Sequence, residues 1–200
     1  KAQRQGIQYV DFAEEGHYGI YGASGTGKTA FLKELTLALG MYYAPDEVTI
    51  YIIDCAGWSL NAFSGMPHVG DVILDADGEK LDKFTKLILA EIQKRKKLFM
   101  NNSVSSLAAF REVSDEKIPA IVIIVDNIVP MFDDGLNMEP FFTTIAREGA
   151  SYGIYLVYSS VSTTGVRYKV QQNIKGAIAF ELTDRGDYPS IVGRPDGFLL

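Results

Sequence analysis

Eight residues early in the chain have the types and the spacing of a phosphate-binding loop. They are Gly22, Ala23, Ser24, Gly25, Thr26, Gly27, Lys28 and Thr29, which fit the pattern Gly, four residues, Gly, Lys, then Ser or Thr. Glycines let successive backbone N–H groups turn inward around an anion, and the following helix presents free N–H groups and its positive dipole end. Lys28 adds a mobile positive charge, and Thr29 offers a hydroxyl to Mg²⁺. The pattern predicts a site for ATP and Mg²⁺.

A second acidic group is needed to hold the metal, and Asp126 is the candidate. It ends the apolar run Ile121–Val125, which is typical of a buried strand with a carboxylate at its tip. A strand-end aspartate can instead only cap the turn that follows it. Together with the loop, the metal role is the favoured interpretation.

The next residue, Asn127, stands where many ATPases of this type carry Glu to polarise the attacking water. An amide does not accept a proton at neutral pH, and a positioned general base typically contributes about 10²- to 10⁴-fold to a rate. The sequence therefore predicts nucleotide binding with weak or no hydrolysis and assigns no catalytic residue.

Strand-length apolar runs alternate with stretches of helical period. The predicted strands are His17–Tyr21, Val48–Asp54, Ala120–Asp126, Gly153–Ser159 and Gly176–Leu182. The predicted helices are Lys28–Leu39, Leu81–Met100 and Glu139–Glu148. This alternation predicts an α/β fold, a parallel sheet flanked by helices, as one domain over residues 1–200.

Composition narrows the class of protein. The chain has 200 residues, 47% of them hydrophobic, and a formal net charge of -6. The negative charge argues against a protein whose main task is to coat nucleic acid. Its longest apolar run is far shorter than the roughly 20 residues of a membrane-spanning helix. One cysteine and no signal-peptide pattern indicate a reducing compartment. The abrupt ends of the sequence predict a fragment of a longer protein.

With these residues assembled, the chain resembles the FtsK/SpoIIIE-type ATPases, and among them the C-terminal modules of the EssC or EccC coupling ATPases of type VII secretion. The segments that carry the resemblance, besides the loop, are Gly16–Gly22, Tyr51–Asp54, Met66–Asp71, Arg147–Gly149, Gly153–Ile154 and Asp187–Arg194. The loop and Asp126 are generic, whereas the Pro67–Val69 and Asp187–Tyr188 stretches are specific to this group.

The resemblance implies a RecA-like P-loop NTPase fold in a motor anchored to the bacterial membrane, on its cytoplasmic face, by segments outside this chain. It implies neighbouring ATPase modules and a hexameric assembly as partners, and secreted helical-hairpin proteins as substrates. Ser160 stands where DNA-pumping relatives have Gln, so nucleic acid is not an expected partner. A DNA-translocase motor and a docking domain without nucleotide remain the alternatives.

Other residues have structural interpretations. Four arginines are candidates to reach a neighbouring module's phosphates, with surface ion pairing as the alternative: Arg147, Arg167, Arg185 and Arg194. The residues predicted to be buried are His17, His68, Cys55, Trp58, Phe141 and Phe142. The alternatives are a capping role for the two histidines, and a docking surface for a partner at Trp58 and at Phe141 and Phe142. The basic run Lys94–Lys97 is predicted to form a solvated helix face, with a nucleic-acid contact as the alternative.

Overall fold

The computed structural model describes residues 9–74, 77–133 and 135–192, which form a sheet with helices packed on both faces. The strands are β1 (Tyr18–Tyr21), β2 (Val48–Asp54), β3 (Val69–Leu74), β4 (Ala120–Asp126), β5 (Ile154–Ser160) and β6 (Gly176–Ala179). The helices are α1 (Lys28–Tyr42), α2 (Gly78–Asn101), α3 (Leu107–Val113), α4 (Glu139–Glu148), α5 (Tyr168–Gln171) and α6 (Tyr188–Val192). Arg194 lies outside the described residues.

All strand pairings in the sheet are parallel, in the order β3-β2-β4-β5-β1-β6. The predicted parallel sheet flanked by helices is confirmed. Strand β5 lies between β1 and β4, so the carboxyl ends of these three strands meet at one edge. The direction in which strands are added to the sheet reverses at β1. The chain runs from β1 through α1 to β2, which lies beyond β5 and β4, whereas β6 lies on the opposite side of β1. In open parallel sheets such a reversal creates a crevice for ligands.

The core is divided by the sheet into two layers of apolar side chains. Strand β4 contributes to both: Ile121, Ile123 and Val125 pack with α2 and α4, whereas Val122 and Ile124 pack with α1 and α3. Since both faces are covered, the strand reads as an unbroken apolar run in sequence. Its tip is therefore fixed on both sides.

The element predictions are largely confirmed, with two kinds of difference. Strands β2 and β4 and helix α4 have the predicted bounds. Strand β3 was not predicted, because Gly70 and Asp71 interrupt its apolar pattern at the exposed edge of the sheet. The predicted strand Gly176–Leu182 ends at Ala179.

The prediction of a solvated face over Lys94–Lys97 is wrong for Arg95, whose residue exposure is 1%. Its guanidinium donates to Glu91 Oε1 at 2.8 Å, to the Tyr152 carbonyl at 2.7 Å and to the Pro119 carbonyl at 2.8 Å. A buried charge needs such partners. Arg95 therefore ties α2 to the segments that precede β4 and β5.

Among the other predicted core residues, His17, His68, Phe141 and Phe142 are buried as expected. Two are not: Cys55 is half-buried, and Trp58 is 58% exposed. Trp58 also has a φ of 63° in the turn after β2, a conformation that large residues rarely adopt. Within the described ranges, no helix has both the length and the apolar character that a membrane span requires.

Candidate functional site

The segment Gly22–Thr29 connects β1 directly to the start of α1, which is the strand–loop–helix context that the motif requires. Gly25 and Gly27 have φ values of 79° and 109°, in the left-handed region that glycine adopts at little cost. A side chain at residue 25 would meet open space, so the backbone conformation alone explains the glycine there. Ser24 and Gly25 are exposed at the top of the loop.

Neighbouring strand ends hold the base of the loop. The Gly22 N–H donates to the Ser160 carbonyl at 3.3 Å, and the Ala23 N–H donates to the Glu181 carbonyl at 2.7 Å. Within the loop, Thr26 Oγ1 donates to the Ala23 carbonyl at 2.8 Å. The loop is thus attached to β5 on one side and to the segment after β6 on the other.

The Lys28 ammonium lies against the loop backbone. It donates to the carbonyls of Gly22 at 2.7 Å and Ala23 at 2.9 Å. Burial lowers the pKa of Lys28, and the negative charge of Asp126 offsets part of that shift. An ammonium group has three donors, so Lys28 can also donate to an anion held by the loop.

Thr29 and Asp126, 97 residues apart in sequence, are in contact at the start of α1. Thr29 Oγ1 donates to Asp126 Oδ2 at 2.7 Å. Ser159 Oγ donates to the other carboxylate oxygen, Oδ1, at 2.6 Å. Asp126 is 1% exposed, so both oxygens are directed to hydroxyls of the elements beside it. The structure brings together the two residues predicted to hold a metal.

Asn127 follows Asp126 with a φ of 62°, and its N–H donates to Ser159 Oγ at 2.8 Å. Asn is among the few non-glycine residues that adopt this conformation readily. The backbone geometry therefore gives a local reason for Asn at the position after the carboxylate. Unlike the Ser159 hydroxyl, the hydroxyl of the next residue, Ser160, donates to the Ser162 carbonyl, at 2.7 Å.

Of the candidate arginines in the described part of the chain, two make contacts elsewhere in the fold and one is exposed. Arg147 pairs with Glu148 at the end of α4, which leads to the amino end of β5. Arg167 donates to the Phe132 carbonyl and pairs with Glu139. Arg185 is exposed in the turn that follows β6. For Arg147 and Arg167, ion pairing within the chain is what the structure shows.

Two groups at this edge are not predicted from the sequence: Ser159 and the backbone after β6. Ser159 lies one residue before the position compared with DNA-pumping relatives, and only the insertion of β5 beside β4 brings it to Asp126. The Glu181 carbonyl binds the loop through its backbone, so its residue type carries no signal.

Comparison with known proteins agrees with this geometry. The family model described as FtsK/SpoIIIE family matches residues 2–195. The ESX secretion system protein YukB of Bacillus subtilis is 32% identical over 193 residues, which cover 96% of this chain and 13% of YukB. The chain therefore spans about an eighth of that relative's length.

Two solved structures have the same fold over nearly the whole chain. EssC ATPases 2 and 3 from Geobacillus thermodenitrificans match with a TM-score of 0.89 at 29% identity, covering 97% of this chain and 37% of that chain. Thermomonospora curvata EccC ATPases 2 and 3, in complex with a signal sequence peptide, match with a TM-score of 0.84 at 26% identity, covering 92% and 34%. The predicted RecA-like P-loop NTPase fold is confirmed.

Proposed function

The chain belongs to the FtsK/SpoIIIE family, and we propose from that premise that it binds ATP with Mg²⁺ as one module of a type VII secretion motor and hydrolyses it slowly. The contact between Thr29 Oγ1 and Asp126 Oδ2 carries the nucleotide- and metal-binding part of this proposal. It joins a hydroxyl at the end of the loop to a buried carboxylate on β4, two strands away from β1, and both are oxygen ligands that suit Mg²⁺.

The described residues fit a metal that is bound together with phosphate. They contain no group of three or more His, Cys, Asp or Glu that could hold an ion. Mg²⁺ is ordinarily held by one or two carboxylates, waters and the phosphates of a nucleotide. Thr29 and Asp126 would hold the ion, which when bound neutralises charge on the β- and γ-phosphates. We therefore expect Mg²⁺ to bind with ATP and only weakly without it.

The loop supplies the rest of the proposed site. Its inward N–H groups and the N-terminus of α1 favour an anion. In the proposal Lys28 exchanges its bonds to the Gly22 and Ala23 carbonyls for phosphate oxygens, which carry full negative charge and form stronger hydrogen bonds.

A calorimetric titration of the chain with ATP and Mg²⁺ tests the binding. Binding in the micromolar range that is lost in Lys28→Ala and kept in Lys33→Ala supports the proposal, because Lys33 lies on α1 outside the loop. Equal affinities in all three proteins, or absence of heat in a folded wild type, would overturn it.

Slow hydrolysis follows from Asn127 in the proposal. Its amide does not take a proton from the attacking water, and a general base is typically worth about 10²- to 10⁴-fold. Single-turnover hydrolysis should therefore be slow in the wild type, faster in Asn127→Glu and unchanged in Asn127→Gln. A wild-type rate within the usual kinase range of about 1 to 100 per second would contradict this part.

At the level of the whole motor, we propose that the chain is one domain among several ATPase modules at the cytoplasmic face of the membrane. We also propose that it contributes to substrate recognition. The support is its similarity to EccC ATPases 2 and 3, whose structure contains a signal sequence peptide. Fluorescence anisotropy with a labelled secreted helical-hairpin protein tests this. Saturable binding supports recognition, whereas binding of labelled duplex DNA alone would favour a translocase.

A further inference from the structure

The order of the strands determines how a nucleotide in the proposed ATP site would be oriented. Asp126 lies at the end of β4, on one side of the loop, with β5 between them. The segment after β6 lies on the other side. If the terminal phosphates and the metal are held between Thr29 and Asp126, the phosphate chain runs from there through the loop. Its nucleoside end then emerges on the side of β6.

Phe180 lies on that side, directly after β6 and against the loop. Its N–H donates to the Tyr21 carbonyl at 2.8 Å, which places the residue beside the last residue of β1. A Cβ built on Gly27 would lie 3.5 Å from Phe180 Cε1. Since Gly27 has no side chain, the aromatic ring faces the loop backbone at the start of α1 with nothing of residue 27 between them.

Neighbouring residues fix the position of Phe180. The ring of Phe31, in the first turn of α1, packs against it with centroids 6.1 Å apart and an interplanar angle of 68°. The Tyr188 hydroxyl donates to the Phe180 carbonyl at 3.1 Å and accepts from the Leu182 N–H at 3.2 Å. Both phenylalanine rings nevertheless remain partly exposed.

We infer that Phe180, supported edge-on by Phe31, is the aromatic platform on which the base of the bound nucleotide stacks. The inference rests on the proposed function and deepens it. A flat aromatic ring beside a phosphate loop matches the π-face of a nucleobase, and stacking of this kind is a substantial share of base affinity in proteins. Hydrogen bonds of the Tyr188 hydroxyl hold the backbone that carries the ring, and Phe31 contacts the ring itself. Ordering of the ring before the ligand arrives lowers the entropy cost of binding.

The test separates the base from the phosphates. ATP and inorganic tripolyphosphate, each with Mg²⁺, are titrated into the wild type, Phe180→Leu and Phe63→Leu. Leu keeps an apolar side chain but has no π-face, and Phe63 is a half-buried phenylalanine in the turn before β3. We expect Phe180→Leu to bind ATP about 5- to 100-fold more weakly, with tripolyphosphate affinity unchanged and Phe63→Leu equal to the wild type.

Each other result overturns the inference. If Phe180→Leu loses ATP and tripolyphosphate affinity equally, the ring only shapes the loop. If all three proteins bind ATP equally, the base does not touch residue 180 and the ATP site still stands. If the folded wild type binds neither ligand, the proposed function fails as well. Circular dichroism melts verify that each variant is folded.

Discussion

Two aspartates occupy equivalent places at the ends of adjacent strands, but their carboxylates bind different kinds of group. Asp54 ends β2 and Asp126 ends β4, and the two pair with each other in the sheet register. Both are almost fully buried, at 0% and 1% exposure. Asp54 accepts from the N–H groups of Ala56 at 3.0 Å and Leu60 at 2.9 Å, both in the turn that follows it. Asp126 accepts from hydroxyls on α1 and β5.

This difference shows what separates a capping carboxylate from a candidate metal ligand. The sequence leaves two roles open for Asp126, turn capping and metal binding, and turn capping is the role of Asp54. A backbone N–H cannot leave its aspartate without unfolding the turn. A hydroxyl can rotate and give up its carboxylate oxygen to a cation. The partners of the carboxylate, more than its burial or position, therefore indicate its role.

The largest predicted effect is on stability, in Asp54→Ala. The substitution leaves the Ala56 and Leu60 N–H groups without their carboxylate, and we expect it to lower the free energy of unfolding by about 2–4 kcal/mol. ATP affinity should stay within about twofold of the wild type, because the Asp54 carboxylate binds N–H groups of its own turn. A twofold change in affinity corresponds to less than about 0.5 kcal/mol.

Chemical denaturation measures the loss, with Asp82→Ala as the control. Asp82 is an exposed residue of α2 that pairs with Lys86, so its loss should cost less than about 1 kcal/mol. Equal costs for the two variants would show that Asp54 is not the cap of its turn.

The pH of these comparisons matters because of His17, at the opposite end of β1. His17 Nδ1 accepts from the Leu156 N–H at 2.9 Å, and burial lowers the pKa of His17 to about 4, with the Ala146 carbonyl partly offsetting the shift. Between that value and the ordinary value of 6.5 the unfolded chain binds the extra proton. Stability should therefore fall by up to about 3 kcal/mol as the pH drops from 7 to 4.

His17→Asn provides the matched variant, because its side-chain oxygen can accept from the Leu156 N–H and does not titrate. Its unfolding free energy should change less over the same pH range. An identical pH dependence in both proteins would remove His17 as the cause. The aspartate variants should accordingly be compared above pH 7.

A smaller effect is expected at Ser159. Its hydroxyl donates to Asp126 and accepts from the Asn127 N–H, so Ser159→Ala should cost about 1–2 kcal/mol of stability and weaken Mg²⁺-dependent ATP binding a few fold. Ser160→Ala is the control, since Ser160 is equally buried and its hydroxyl donates to the Ser162 carbonyl. Calorimetry that shows the same ATP affinity for both variants would contradict an orienting role for Ser159.

Local sequence was sufficient for the parts of the fold with a strong local pattern. The motif predicts the loop, and the unbroken apolar run predicts β4 because it is typical of a strand covered on both faces. Thr29 and Asp126 are each predicted from the sequence to hold Mg²⁺, and the structure places them in contact. The second partner of Asp126 is Ser159, and this contact depends on the order of strands in the sheet, which no local pattern encodes.

The incorrect burial predictions for Arg95 and Trp58 have different physical origins. Arg95 reads as one more charge on a basic helix face, but the carbonyls of Tyr152 and Pro119 that accept its hydrogen bonds belong to distant segments. Trp58 reads as a core residue, yet Asp54 holds its turn in a shape that exposes it. Tertiary contacts override the local pattern at Arg95, whereas hydrogen bonds within the turn itself determine the exposure of Trp58.

The Mg²⁺ dependence of ATP binding in Asp126→Asn and Asp54→Asn, measured side by side above pH 7, tests the central claim most directly. We predict that Mg²⁺ strengthens ATP binding in the wild type and in Asp54→Asn. In Asp126→Asn that gain should fall by about tenfold or more, the equivalent of about 1.4 kcal/mol. If Asp126→Asn keeps the full gain while remaining folded, Asp126 does not hold the metal and the proposed site is wrong.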